Sequence, residues 1–271
     1  MSKLKHVIRF LIFFLLSLTI VFFSGCKFTD CIEDEIGKQL VKLFEWEGES
    51  MKQGDFVYGY INNDLGSYWL YKEGKNVTVF GLTKEGKQKE TLIIPDEIDG
   101  KPVVQIGRTA IGPANYVKLR LDGGKYTRVY LPSSFMFIGA EDCISSRAWV
   151  FLVGRPNKEL FNYENDKQRI YVSKTVYDEY KEYDEYDLLR IADVEYYSGE
   201  ELYWLDNCSW SEPSSIIEPP IPVKEGYNFL GWVEENNETL WNFEIDKLDL
   251  TSVDEEGNHP TAKLFAKWEA K

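Results

Sequence analysis

The sequence predicts a mainly β chain of the α+β class: a short β-solenoid preceded by a β-meander, with a small further β module at the C-terminus. Three observations carry that prediction. Short apolar or alternating runs bounded by Gly, Asn, Asp and Pro recur from position 55 onward. A strand, proline, glycine pattern returns between positions 92 and 154. Helical spacing shows in only two stretches, and 17 Tyr and 8 Trp favour strands that lay rings on a sheet.

The chain begins with an export signal. Lys3, Lys5 and Arg9 precede an apolar run from Phe10 to Phe23, and Ser24-Gly25-Cys26 supplies small residues followed by cysteine. The run is short of the roughly 20 apolar residues that a membrane span needs. Residues 1–25 are therefore expected to be removed, leaving Cys26 as a diacylated N-terminus. Two acyl chains, at about 0.8 kcal/mol per buried methylene, hold a protein stably on a membrane. The expected location is extracytoplasmic and lipid-anchored, exposed at the cell surface.

Removing the signal takes away three basic residues and no acid, so 31 − 3 = 28 basic residues face 45 acidic ones, net −17. A field of that sign repels phosphate backbones, and no basic run offsets it, so nucleic acid is not an expected partner. Beyond Cys26, cysteine occurs singly at Cys31, Cys143 and Cys208, without the paired spacing of a zinc or redox site. Buried thiols and a Cys143–Cys208 disulfide both fit. His259 is the only imidazole after the signal. Its Asp/Glu/Gly/Asn/Pro surroundings read as an exposed loop without the partner that Ser-His-Asp or Cys-His catalysis requires. No metal site and no cofactor are expected.

Residues 26–54 form the lipidated N-terminus and a juxtamembrane helix, with Ile32, Ile36, Leu40, Leu43 and Phe44 at helical spacing. Its polar side is too acidic for anionic lipid. Residues 55–192 form the next domain. Phe56 to Tyr60, Tyr68 to Tyr71 and Val77 to Phe80 alternate with Asn- and Gly-rich turns and predict a meander. Then Leu92-Ile93-Ile94-Pro95 leads through Asp99-Gly100-Lys101-Pro102 to Ile106-Gly107, and Val129-Tyr130-Leu131-Pro132 leads to Phe137-Ile138-Gly139. Proline to proline is 37 residues and glycine to glycine 32. A third run, Trp149 to Val153, follows. Such units stack because none buries its apolar side alone. A short helix after Ser173 or Thr175 places Val176, Tyr177, Tyr180 and Tyr183 on one side.

Positions 92–107, Leu-Ile-Ile-Pro-Asp-Glu-Ile-Asp-Gly-Lys-Pro-Val-Val-Gln-Ile-Gly, resemble the opening unit of BspA-like leucine-rich repeats. The second corner departs from that pattern, with Asp142-Cys143 in its Ala-Phe slot. Arg169 to Ser173 and Val176 to Lys181 are similar to the strand and helix that close such arrays. Residues 193–271 resemble the Listeria-Bacteroides repeat, also called the internalin B repeat: Pro219 to Trp232 with its Gly226-Tyr227-Asn228-Phe229-Leu230-Gly231-Trp232, then Trp241-Asn242-Phe243, then Leu264-Phe265-Ala266-Lys267-Trp268. That resemblance implies a β-grasp-like module, with the 212–222 proline-rich run as turns inside it. Tyr227, Phe229 and Trp232 are expected on one strand, and Leu264, Ala266 and Trp268 alternate on a closing strand.

Together the resemblances imply a non-catalytic surface protein that binds extracellular protein or glycan ligands. The alternatives are a lipid-anchored glycan hydrolase using two of the many carboxylates, and a solute-binding lipoprotein, for which alternating strands and helices are missing. Trp69, Tyr130 and Trp149 are the candidate binding residues, on a solenoid side built from strands around Ile94, Leu131 and Phe151, because Trp and Tyr dominate interfaces. Core packing is the competing role for each.

Overall fold

The computed structural model describes residues 51–62, 73–111, 116–119, 121, 123–138, 143–162, 168–255, 257 and 259–271. The export signal, Cys26, the 31–46 stretch, the 68–71 run with Trp69, Gly139 and Asp142 lie outside them. The regular secondary structure of the described residues is mainly strand, with one α-helix, and no helix among them is long and apolar enough to cross a membrane. They divide into two compact units. One draws on positions up to Lys87, Glu97–Gly124 and Phe137–Ile144; the other takes Gln88–Asp96, Lys125–Met136 and everything from Ser145. Neither is a continuous segment, because the chain passes between them at each repeat.

In the first unit, β1 (Met51–Gln53), β2 (Phe56–Ile61) and β3 (Asn76–Leu82) form an antiparallel meander. The N-terminal strand was not expected from the sequence, which placed 51–54 with the juxtamembrane segment. Strand β3 then pairs in parallel with β6 (Lys101–Ile106), and β6 with β10 (Phe137–Ile138). The buried polar residues of this ladder are satisfied: Thr78 Oγ1 and Gln105 Nε2 both donate to the Gly107 carbonyl, at 3.3 and 2.9 Å. A small antiparallel pair, β7 (Arg108–Ile111) and β8 (Tyr116–Leu119), stands apart from the sheet. Cys143 is a buried thiol whose Sγ lies 3.7 Å from the Ile106 carbonyl.

The Asp-Gly turn closes a two-residue hairpin between β5 (Glu97–Ile98) and β6. Asp99 and Gly100 both have positive φ, 54° and 68°, as a type I′ turn demands. Asp99 Oδ2 accepts hydrogen bonds from Tyr58 and Tyr60, each 2.7 Å long, and Lys101 Nζ lies 4.6 Å from the Tyr60 ring centroid. The hairpin is thereby tied to β2. These two phenols, Tyr58 first, hold the Asp99 carboxyl below the usual aspartate range.

The second unit contains two sheets. Its parallel sheet is ordered β13-β12-β11-β9-β4, from β4 (Thr91–Ile93), β9 (Arg128–Leu131), β11 (Trp149–Leu152), β12 (Ile170–Val172) and β13 (Leu189–Ile191). Register aligns Leu92, Val129, Val150, Ile170 and Leu189 in one row, all fully buried. Leu92 and Val129 are 37 positions apart (129 − 92), and Ile106 and Ile138 in the other unit 32 (138 − 106), the two spacings of the sequence repeat. Ser173 caps helix α1 (Lys174–Tyr180), its Oγ accepting from the Val176 N–H at 3.3 Å, and Val176 and Tyr180 are the buried residues. Tyr183 falls beyond the helix and is exposed, with its ring 6.3 Å from that of Tyr180.

The other sheet is ordered β15-β14-β17-β16, from β14 (Val194–Ser198), β15 (Glu201–Asp206), β16 (Tyr227–Glu234) and β17 (Ala262–Ala270). Its central pair, β14 and β17, is parallel and the outer two are antiparallel. The proline-rich run is stitched to this sheet: the Ile217 N–H donates to Asp206 Oδ2 at 3.0 Å, and Tyr196 Oη donates to the Ile217 carbonyl at 3.0 Å. One apolar core joins both sheets, from Tyr130 and Phe151 to Trp204, Trp232 and Leu264, and so runs across position 193. Glu195 spans it too, accepting from the Lys174 N–H at 2.9 Å and from Tyr197 Oη at 2.6 Å.

At its centre Arg128 Nε donates to Asp206 Oδ1 at 2.7 Å, with Asp206 fully buried. Burial raises the Asp206 carboxyl, and Arg128 with the Ile217 N–H opposes that shift.

Two outcomes follow from these carboxylates. Asp99→Asn keeps the turn but loses the charge that the phenols solvate. Because the folded pKa is depressed, the wild-type advantage is present above the ordinary aspartate value of about 3.9 and is lost as pH falls through the lower folded value. Urea midpoints of the two proteins against pH should converge only in acid; a constant gap refutes the assignment. Asp206→Ala strands Arg128 and should cost about 3–5 kcal/mol in urea unfolding, most of it recovered by a paired Arg128→Met, Asp206→Leu variant.

Candidate binding surface

The parallel sheet presents its second side as a row of rings. Tyr130, Phe151 and Tyr171 occupy adjacent register positions, with centroids 4.9 and 5.8 Å apart. This is the side the sequence proposed for ligand, and it is covered. Tyr130 is 2 % exposed, stacks on Trp204 at 3.7 Å and donates from Oη to the Leu205 carbonyl at 2.7 Å. Burial also raises its phenol. Tyr130 is therefore a core residue, because a second sheet carries aromatics of its own onto that side. Ile94, Leu131 and Phe151 are buried as well. Trp149 is half-buried against the same core, and the Arg128 guanidinium lies 5.1 Å from its ring centroid. Its ring helps to hold the buried ion pair. Trp69 lies outside the described residues.

Exposed apolar side chains gather elsewhere. Among the described residues, eight of the eleven large exposed ones lie between Trp210 and Val253, including Val223 at 95 % and Ile245 at 72 %. Sequence reasoning missed them because it looked for rings on repeating strands. The available signal was aliphatic residues in a turn-rich stretch with no alternation to bury them.

Within that region a row of rings runs from core to solvent along β16 and β17. Phe229 pairs with Trp268 and Trp232 with Ala266, with a bulge between Phe229 and Gly231. The extra residue, Leu230, is what brings Trp232 onto the side of Tyr227 and Phe229 despite its three-residue offset from Phe229. Gly231 makes the bulge at φ 142°, and Leu240 closes over it. Trp232, 1 % exposed, meets Phe229 edge-on at 5.5 Å; Phe229 meets Trp268 at 5.5 Å; Tyr227, 39 % exposed, ends the row. The Leu264, Ala266, Trp268 alternation matches the sequence expectation for the closing strand. Trp204, Trp232, Trp241 and Trp268 have buried indole N–H groups that meet no hydrogen-bond partner among the described residues. Each such donor costs about 1–3 kcal/mol, which ring burial must offset.

His259 lies outside any helix or strand, as expected, but is half-buried where an exposed position was expected. His259 stacks on Trp210 at 4.4 Å and 18°, with Nδ1 2.7 Å from the Leu250 carbonyl, which makes Nδ1 the protonated nitrogen. Trp210 Nε1 and the Cys208 N–H donate to the two oxygens of Asp193, at 2.8 and 3.1 Å, and burial raises that carboxyl. A nucleophile–imidazole–carboxylate relay needs the carboxylate on the imidazole N–H. Here a carbonyl takes that proton and Asp193 faces other donors. Burial pushes the Cys208 thiol up to about 11, which keeps it protonated at neutral pH and unreactive. Cys208 is a free, buried thiol, so no disulfide joins it to Cys143. No group of three or more His, Cys, Asp or Glu among the described residues is placed to hold a metal ion.

The chain matches no family model, no curated protein sequence and no solved structure.

Gly231→Ala tests how the ring row is set. The new Cβ would lie 3.1 Å from Leu240 Cδ2 at a φ that favours glycine. The expected cost is about 1–3 kcal/mol in chemical unfolding, with a changed near-ultraviolet signal from the tryptophans. An unchanged midpoint and spectrum would refute the bulge geometry.

Proposed function

We propose that this chain is a lipid-anchored surface protein that binds extracellular protein or glycan ligands without catalysis. The observation that carries the reading is that, among the described residues, eight of the eleven large exposed apolar side chains fall between Trp210 and Val253, within the C-terminal module. The basic start, apolar run and Ser24-Gly25-Cys26 ending support its location outside the cytoplasm. Ligand contact then falls to the C-terminal module rather than to Tyr130 and Trp149.

The finer fold reading belongs to the same proposal. We read the repeats as a short β-solenoid of the leucine-rich-repeat type, akin to BspA-like proteins, supported by parallel ladders whose offsets equal the repeat spacings. The C-terminal module is read as β-grasp-like, akin to the Listeria-Bacteroides repeat, supported by a parallel central pair flanked by antiparallel strands.

Metabolic labelling with a palmitate analogue, on wild type and Cys26→Ala, followed by protease treatment of intact cells, tests the placement. Label that requires Cys26, on a chain that the protease removes, is the expected result. An unlabelled, protected chain would refute both anchor and display.

A further inference from the structure

The ring row ends on a cation. Lys224 Nζ lies 4.4 Å from the Tyr227 ring centroid and 5.8 Å from that of Trp268. Register explains why the two rings converge: Tyr227 pairs with Ala270 and Phe229 with Trp268, so Tyr227 and Trp268 are diagonal neighbours on one side of the sheet. The turn that carries the lysine is fixed at both ends. The Tyr227 N–H donates to the Lys224 carbonyl at 3.2 Å, the Lys271 N–H donates to the Gly226 carbonyl at 3.0 Å, and Gly226 takes φ 78°.

Among the described residues, Lys224 forms no ion pair with a carboxylate; its ammonium meets ring faces only. A chain with 45 acids offers many carboxylates to a flexible lysine, yet this one rests on two aromatic rings. The Trp268 ring packs against Phe229 at 5.5 Å and 66°, and the lysine lies 5.8 Å from its centroid. Phe229 behind it is held in turn by buried Trp232. A ring pair fixed in this way attracts any cation through its quadrupoles. Ammonium is a poor occupant because it gives up strong hydration. A trimethylammonium group, which spreads its charge over methyls and is weakly hydrated, is a better one.

We propose that Tyr227 and Trp268 form a recognition seat for organic cations of the quaternary or methylated ammonium class, occupied in the free protein by Lys224, which the ligand displaces. The proposal names a ligand class for the surface-binding reading and rests on that reading only for where such a ligand would be met. The excess of acidic over basic residues, 45 against 31 in the full chain, raises the concentration of cations around the protein. Lys224 acts as a competitor, so its removal raises the apparent affinity by the reciprocal of the fraction of time that the seat stands open.

The test uses the purified full chain in non-ionic detergent, labelled with 5-fluorotryptophan, with the Trp268 resonance assigned by Trp268→Phe. Choline chloride is titrated against its neutral carbon isostere, 3,3-dimethylbutan-1-ol, at matched ionic strength. A saturable shift of the Trp268 resonance with choline and none with the isostere is expected. Lys224→Ala should tighten choline binding roughly three- to tenfold, and Tyr227→Leu, at an exposed position, should abolish it while leaving the circular dichroism unchanged. The proposal is overturned by the absence of a saturable shift in both wild type and Lys224→Ala, by an equal response to the isostere, or by an unchanged response in Tyr227→Leu. None of those results bears on anchoring, which the palmitate label reads separately.

Discussion

The second unit depends on one buried ion pair. Arg128 opens β9 of the parallel sheet, Asp206 closes β15 of the mixed sheet, and the 2.7 Å bond between them crosses the core that the two sheets share. Burying two charges costs several kcal/mol each, and the pair repays this only with good geometry and satisfied lone pairs. Both conditions are met. Asp206 Oδ2 takes the Ile217 N–H, and the guanidinium lies over Trp149. The consequence is registry more than strength: an apolar pair could fill the space, but a shifted sheet would leave a charge unpaired. Tyr130, two residues on, adds a second fixed point by bonding to the Leu205 carbonyl.

That lock explains why the rings on the parallel sheet do not serve as a binding side. Once Arg128 and Asp206 are paired, Trp204 lies 3.7 Å from Tyr130 and the Tyr130, Phe151, Tyr171 row becomes interior. The aromatic richness of the chain is thus spent largely on joining sheets. Among the described residues, the rings left at the surface are Tyr183, Tyr186, Trp210 and the far end of β16 and β17, where a row starts in the core and runs outward past its edge.

Local pattern made part of this legible. The 37- and 32-residue spacings are read directly from prolines and glycines, and they are the ladder offsets because each repeat contributes one strand at a fixed place. The cap at Ser173 and the Asp99-Gly100 turn are likewise written in adjacent residues. Three things were not. No neighbouring residue states that the chain alternates between two units, since one apolar strand reads like another. Asp99 finds Tyr58 and Tyr60 about 40 positions away, a contact that sequence spacing cannot signal. At Trp232 the three-residue offset from Phe229 implies the opposite side of a regular strand, and only the bulge at Leu230 and Gly231 reverses it.

The location of the candidate site follows from a similar constraint. Binding a small ligand at a surface loses affinity to the ordering of flexible groups, so a seat is effective when its rings are already immobile. Trp232 is immobilised by Tyr196, Tyr203 and Phe229, with centroids 5.2, 5.9 and 5.5 Å away, and Phe229 in turn braces Trp268. The indole N–H groups that meet no partner among the described residues cost stability that phenylalanine at the same positions would not. Indole also has the strongest attraction for cations of the aromatic side chains. Trp268 stands where the row reaches the turn of Lys224, the one point along it, among the described residues, at which an indole face meets a cation.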